Sequence, residues 1–292
     1  MELFRKMFLD GDWQIAFRKK HNNIFDYNSS FFSVKNTKQY WFADPMIVSE
    51  GEDTFLFCEA YDRKEEKGAI GYFKLKNDVF SEFKVVISEK YHLSYPCVFK
   101  YSNQYYMIPE SGENNTLDLY RSIQFPDQWE KCGTLLEGER LVDSTIFYYD
   151  NKYYLYSYLE GSSYQARIYD FDIEKRKLRL VKNIDYEFNE GRGAGYVFKY
   201  NDKWIRPVQD CKEIYGKTVL FREVSLEKDE REKIVSKINV NSVKIDCNNI
   251  ADRIHTYSCN DNYEVIDFCK MKFSLFKRIK ILRRKIKTEN RK

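Results

Sequence analysis

Proline and glycine are scarce: 5 Pro and 12 Gly in 292 residues are too few for a collagen-like or low-complexity disordered chain. Histidine is scarcer, with only His21, His92 and His255, so no histidine-rich metal cage is available. No apolar run reaches the roughly 18 residues of a membrane-spanning helix, and Met1-Glu2-Leu3-Phe4-Arg5-Lys6 leads into no signal-peptide core. The 7 Cys are odd in number, widely spaced and without a C-x-x-C pair. They read as reduced, mostly buried thiols of a cytoplasmic protein rather than as a disulfide framework or a zinc site. Gly191-x-Gly193-x-Gly195 lacks the βαβ surroundings of a dinucleotide loop.

Aromatic residues are abundant instead, with 24 Tyr, 22 Phe and 4 Trp, and they favour pleated, half-buried surfaces. They are arranged in five similar stretches beginning at Ala43-Asp44-Pro45, Ser94-Tyr95-Pro96, Val142-Asp143-Ser144, Ala194-Gly195-Tyr196 and Ile254-His255-Thr256. Aligning Pro45, Pro96, Ser144, Gly195 and Thr256 gives steps of 51, 48, 51 and 61 residues. A strand-filled repeat of this length predicts a β-propeller with about four strands per blade. The first two strands of each unit flank turns such as Ser102-Asn103-Gln104 and Asp150-Asn151-Lys152, rich in residues that tolerate positive φ. The expectation is an all-β, five-bladed propeller over residues 40–270, with residues 1–39 closing or covering the ring. Lys228 to Lys237, dense in charge, reads as an exposed helix or loop before the last blade.

The net charge of +4 is unevenly spread. Lys270 to Lys292 holds 11 Lys or Arg and one acid, Glu289, so it carries +10 and the rest of the chain −6. Leu275, Ile279, Leu282 and Ile286 fall on one side of a helix, so residues 271–292 are expected to form a basic amphipathic helix. Such a helix suits peripheral contact with an anionic membrane at its cytoplasmic face, or packs on the propeller with its lysines solvated. No basic groove or aromatic-basic motif indicates nucleic acid.

In a propeller the first strand of each blade lines the central channel, so the starts of the repeats converge. That column gives Asp44, Tyr95, Asp143, Arg192 just before Ala194, and His255. A second column, fourteen residues beyond the aligned position, gives Glu59, Glu110, Tyr158 and Gln209. Like charges gathered in one place raise each other's pKa, and such clusters mark candidate functional sites, although single acids also cap turns or pair with Arg192 and Arg206. Paired carboxylates across a cleft are what glycosyl transfer needs. Tyr40, Trp41, Tyr95 and Tyr196 offer flat faces for sugar rings, or plain core.

Asp44 in Phe42-Ala43-Asp44-Pro45 and Asp143 in Val142-Asp143-Ser144 resemble the base and the pKa-modulating aspartate of five-bladed glycoside hydrolase family 43 propellers. Where that family has an acid in Glu-Gly-Pro, this chain has Asn189-Glu190-Gly191-Arg192, a departure that speaks against ordinary hydrolysis. A more extended resemblance is to the amino-terminal propeller of glucosamine inositolphosphorylceramide transferase and its stand-alone bacterial relatives. It is carried by Phe42-Ala43-Asp44-Pro45 with Glu59, Tyr95-Pro96-Cys97, Met107-Ile108-Pro109-Glu110, Phe125-Pro126-Asp127-Gln128-Trp129, Arg192-Gly193-Ala194-Gly195, Arg206-Pro207-Val208-Gln209-Asp210 and His255-Thr256. It implies the fold and a setting in glycoconjugate assembly. In the plant proteins a separate carboxy-terminal domain looks like the transferase, and the expectation for these 292 residues is the propeller without that domain.

The expected activity is therefore a glycosyltransferase of bacterial surface polysaccharide or glycoconjugate biosynthesis. Asp44, Glu110 and Asp143 are the candidate catalytic carboxylates. Glu59, Tyr95, Arg192, Arg206, Gln209, Asp210 and His255 are the candidate groups that bind a sugar or nucleotide sugar, with the arginines gripping phosphate. The alternatives are a family 43 type glycoside hydrolase and a non-catalytic glycan-binding propeller. No cofactor and no metal site is indicated by spacing, while the family 43 resemblance allows a central divalent cation.

Overall fold

A computed structural model describes residues 9–26, 29–161, 164–226, 232–246 and 249–273. Five antiparallel sheets form the blades of a propeller. Blade 1 holds Tyr40–Glu50, Asp53–Asp62 and Lys67–Lys76, with Val79–Phe80 and Lys84–Ile87 both pairing with its third strand. Blade 2 runs Ser94–Tyr101, Gln104–Glu110, Thr116–Gln124 and Gln128–Glu137. Blade 3 runs Leu141–Tyr149, Lys152–Leu159, Gln165–Asp172 and Lys177–Asp185. Blade 4 contains Phe198–Tyr200, Lys203–Asp210, Thr218–Glu223 and Lys233–Lys237.

Blade 5 draws on both ends of the chain. Tyr257–Cys259 and Tyr263–Cys269 are its inner strands, and Trp13–Lys19 and Phe32–Ser33 its outer ones. Trp13 to Lys19 pairs residue for residue with Cys269 to Tyr263, so the ring is sealed by main-chain hydrogen bonds between the first and last repeats. Closure of this kind ties the last blade to the first part of the chain, while each blade keeps only short edges.

The core lies between blades. Met46 and Phe57 of blade 1 pack against Val98 and Met107 of blade 2, and Cys97 and Ile108 against Ile146 and Leu155 of blade 3. Each such side chain, taken out of water, contributes about 1.5–3 kcal/mol. The aromatic excess is used here: Phe125 stacks on Tyr105 with ring centres 3.8 Å apart and meets Phe55 edge-on at 5.1 Å, tying blade 2 to blade 1.

One expectation changes. Of the stretch Lys228 to Lys237, read as helix or loop, residues 228–231 lie outside the described residues and Lys233–Lys237 is the outer strand of blade 4, because Lys-Ile-Val-Ser-Lys meets the free edge of Thr218–Glu223. Backbone partners outweigh a locally charged composition. The amphipathic tail expected over 271–292 lies outside the described residues from 274 onward, and within it Lys272–Phe273 forms a short strand against Leu9–Asp10. Among the described residues no helix is long and apolar enough to cross a membrane.

Candidate functional site

Three of the five blades begin with the same backbone irregularity. Asp44, Tyr95 and Asp143 have φ of 51°, 45° and 50°, a left-handed conformation inside a strand. Each coincides with a slip in register between the first and second strands of its blade, between Ala43 and Met46, Ile108 and Glu110, and Val142 and Thr145. A bulge of this kind re-aims a side chain and costs of order 1–3 kcal/mol where the residue is not glycine. Its repetition at equivalent positions turns two aspartates and a tyrosine towards the axis.

The second strands then bring Glu59, Glu110 and Gln209 to the same level. Arg192, on the irregular entry to blade 4, joins the set: its Nε lies 2.5 Å from Asp143 Oδ2, one terminal nitrogen 3.7 Å from Glu110 Oε2, and the other 3.4 Å from Glu160 Oε1. Gln209 donates to Asp143 Oδ2 at 3.3 Å and to the Gly193 carbonyl at 2.9 Å, fixing the carboxylate from the other side. Gly193 permits this approach, since a Cβ there would stand 2.5 Å from the Asp143 carbonyl. Blades 2, 3 and 4 thus meet at a single guanidinium.

Blades 5 and 1 meet at a second cluster. Asp267 Oδ1 accepts the backbone amides of His255 and Thr256 at 3.0 and 2.9 Å, and its Oδ2 accepts that of Asp44 at 3.0 Å. The same Oδ2 lies 2.5 Å from His255 Nδ1. His255 Nε2 points towards Asp44 Oδ1 at 3.8 Å, which also accepts the Thr256 hydroxyl at 3.0 Å. Trp13 lies flat on the imidazole, with centres 3.8 Å apart and planes within 8°, and Tyr215 meets the imidazole edge-on at 5.4 Å. Tyr215 also takes the Arg192 guanidinium over its face at 5.2 Å, and at 44% exposure it reaches solvent.

Burial shapes the charges. Desolvation, opposed by His255 and reinforced by Asp267 and Asp143, raises the Asp44 pKa to about 6. Desolvation together with Asp143 pushes Glu110 well above the usual carboxylate range, Arg192 opposing. Glu59 is pushed up by desolvation, then by Asp44 and Glu110, and its buried Oε1 has no hydrogen-bond partner among the described residues. Desolvation disfavours the His255 cation, but the Asp267 carboxylate more than compensates and holds its pKa above the ordinary histidine value.

Asp44, His255 and Asp267 offer ligand atoms within 4.8 Å of one another. As a cation cage the triad is a poor fit. Asp267 already accepts three backbone amides and the imidazole, leaving only Asp44 and His255 Nε2 to face an ion, short of the six to eight oxygens a calcium ion takes.

Of the residues expected from sequence, Asp44, Glu59, Glu110, Asp143, Arg192, Gln209 and His255 are brought together. Tyr95 is fully buried beneath them, its hydroxyl shared with Thr145 and accepting the Gly195 amide at 2.7 Å, so it supports the cluster rather than facing a ligand. Arg206 is not at the axis. It is buried between blades 3 and 4, against Glu232 at 2.7 Å and Tyr186 at 2.6 Å, with Tyr156 of blade 3 under its guanidinium. Asp210, at the end of its strand, lines a separate surface cavity with Lys212 and Lys217. Glu190 pairs with Arg222 at 2.9 Å and Lys212 at 2.7 Å, away from the axis. Asp267 and Trp13 were missed. The last hairpin is shorter, with Tyr257 pairing to Ile266 nine residues on where Met46 pairs to Phe57 eleven on, and it pairs without the register slip of blade 1, so the fourteen-residue offset from Thr256 reads three positions past Asp267.

The family described as glucosamine inositolphosphorylceramide transferase 1, N-terminal, matches residues 21–260. The glucosamine inositolphosphorylceramide transferase 1 of Oryza sativa subsp. indica is 30% identical over 214 residues, 69% of this chain and 29% of that protein. The chain thus spans less than a third of the length of that relative. Among solved structures, the catalytic domain of the Coprinopsis cinerea family 62 α-L-arabinofuranosidase superposes with a TM-score of 0.59 at 10% identity, covering 88% of this chain and 98% of that one. A family 43 enzyme of Xanthomonas citri complexed with xylose gives 0.56 at 10%, covering 81% and 87%. At such identity these two share the fold alone.

Proposed function

The chain belongs to the family of glucosamine inositolphosphorylceramide transferase 1 N-terminal domains, and on that premise we propose that it is a carbohydrate-active propeller of bacterial surface polysaccharide or glycoconjugate assembly. Its axial cluster binds a sugar or nucleotide sugar and carries out a glycosyl transfer. The observation that supports this reading is Arg192 held between Asp143 at 2.5 Å and Glu110 at 3.7 Å, three groups from three blades.

Glu110, its pKa raised, is suited to hold a proton near neutral pH and give it to a leaving oxygen. Asp44, at about 6, is largely ionised at pH 7 and can take the proton of an incoming hydroxyl. Asp143, oriented by Arg192 and Gln209, stabilises positive charge developing at the sugar ring. Arg192, whose three nitrogens face Asp143, Glu110 and Glu160, sets a fixed positive charge beside the reacting centre that favours an anionic leaving group such as a diphosphate, which a hydrolase of neutral glycans does not require. His255, clamped by Asp267 and covered by Trp13, is a fixed donor beside Asp44. In this reading residues 271–292 hold the protein beside a lipid-linked acceptor at an anionic membrane surface.

Asp143→Asn and Glu110→Gln test the assignment separately. Nucleotide release is measured from a panel of nucleotide sugars with oligosaccharide acceptors, and affinity for the same donors by calorimetry. A transferase loses turnover by about 10²–10⁴-fold with affinity largely kept. A graded loss of affinity with no turnover in the parent protein would instead identify a binding module, and release of free sugar from glycosides would identify a hydrolase.

A further inference from the structure

The face opposite the axial cluster carries a second feature. The first and second strands of each blade run away from the axial cluster and back, so their hairpin turns lie on the far side of the disc. There, between blades 2 and 3, is a groove of about 550 Å³ whose walls include Tyr101, Tyr148, Tyr153, Asn151, Asp170 and Glu174. The hairpins Ser102-Asn103 and Asp150-Asn151 turn with φ of 46°, 63°, 48° and 58°, tight two-residue reversals that hold the rim in a fixed shape.

The rings form a connected wall. Tyr101 and Tyr153 meet edge-on at 5.6 Å, and Tyr153 and Tyr148 pack at 4.8 Å with their planes tilted by 49°. Tyr148 is 50% exposed although it occupies a strand where a polar residue would be solvated at no cost. Hydrogen-bonding groups are interleaved with the rings: Tyr148 donates to Asn151 Oδ1 at 3.1 Å and Tyr101 to Glu174 at 2.8 Å. The other acids of the groove are neutralised, Asp170 by Arg179 at 2.6 Å and Asp172 by Lys175 at 2.9 Å. The groove therefore has flat apolar faces, many acceptors and donors, and little net field.

We propose that this groove is a binding site for a neutral oligosaccharide, distinct from the axial cluster. Pyranose rings present an apolar C–H face that stacks on tyrosine and hydroxyls that bond in the ring plane, the combination offered here. Paired acids disfavour a cation or a phosphate as the ligand, and the open rim suits a chain rather than an enclosed monosaccharide. Held on this side, a growing glycan is retained without obstructing the axis.

Affinity electrophoresis of the full chain through gels containing soluble neutral polysaccharides (a β-glucan, an arabinoxylan, a galactomannan) provides the test, with alginate as an anionic comparison. The expected result is at least a twofold retardation by one neutral polymer. It is lost in Tyr148→Ser and in Tyr148→Ser/Tyr153→Ala, and kept in Asp143→Asn. Tyr148 is half exposed, so the single variant keeps its fold, as an unchanged melting temperature verifies. Absence of retardation by every neutral polymer, retardation unaltered by the tyrosine changes, or equal retardation by alginate would overturn the proposal.

Discussion

Asp44 illustrates how much a single position has to satisfy. Its backbone is left-handed, its amide is held by Asp267, and its carboxylate accepts the Thr256 hydroxyl and the Tyr95 amide. Its raised pKa has a consequence for stability. A carboxyl whose pKa is about 6 when folded, against 3.8 ordinarily, binds more protons in the folded state between these values. The stability it contributes is complete below about pH 4 and is lost as pH rises through 6. His255, raised above 6.5, loses its contribution in the same direction as pH rises further. We expect the melting temperature to fall between pH 5 and pH 8, and Asp44→Asn to flatten that fall by an amount equivalent to about 1.4 kcal/mol. Calorimetric melts across this range check it, and a stability that rises with pH would contradict it. Asp44, Glu59, Glu110 and Asp143 were legible in the sequence because the repeat keeps their offsets constant. Asp267 was not, because a hairpin shorter by two residues and paired without the register slip breaks the offset, nor was Trp13, because ring closure brings it to His255 from the far end of the chain.

At the scale of elements, the hairpins that open the blades were readable from alternation and turn residues, since both are local properties. The roles of buried charges were not. Arg206 stands in a motif beside Gln209, yet alternate strand residues project to opposite faces of the pleat and differ in their neighbours. Arg206 meets Glu232, which follows the third strand of blade 4 and which no local pattern announces. Both side chains are almost wholly buried. Glu232→Gln leaves the guanidinium without its counter-charge and is expected to cost about 3–5 kcal/mol, seen as a lower urea midpoint, with donor affinity at the axis unchanged. A loss of donor affinity exceeding the loss of stability would return Arg206 to the binding site. The same reasoning explains the outer strand of blade 4: Lys233–Lys237 is strand because Thr218–Glu223 offers it a free edge, not because its own residues demand it.

For the whole molecule, the period of about fifty residues was sufficient to specify five blades, and topology did the rest. Arg192, Glu110, Asp143, Asp44 and His255 span more than two hundred residues of chain and come within a few ångströms because each lies at an equivalent place in a closed ring. The central claim is that this axial cluster, and not another surface, takes the sugar donor. It is tested most directly by a thermal-shift screen of nucleotide sugars, sugar phosphates and neutral oligosaccharides against the parent protein and the Arg192→Met and Glu232→Gln variants. The account predicts that one nucleotide sugar raises the melting point of the parent by about 5 °C at a hundredfold excess over Kd. Glu232→Gln, starting from a lower melting point, keeps that shift, and Arg192→Met loses it. An undiminished shift in Arg192→Met, or none with any nucleotide sugar, would contradict the account.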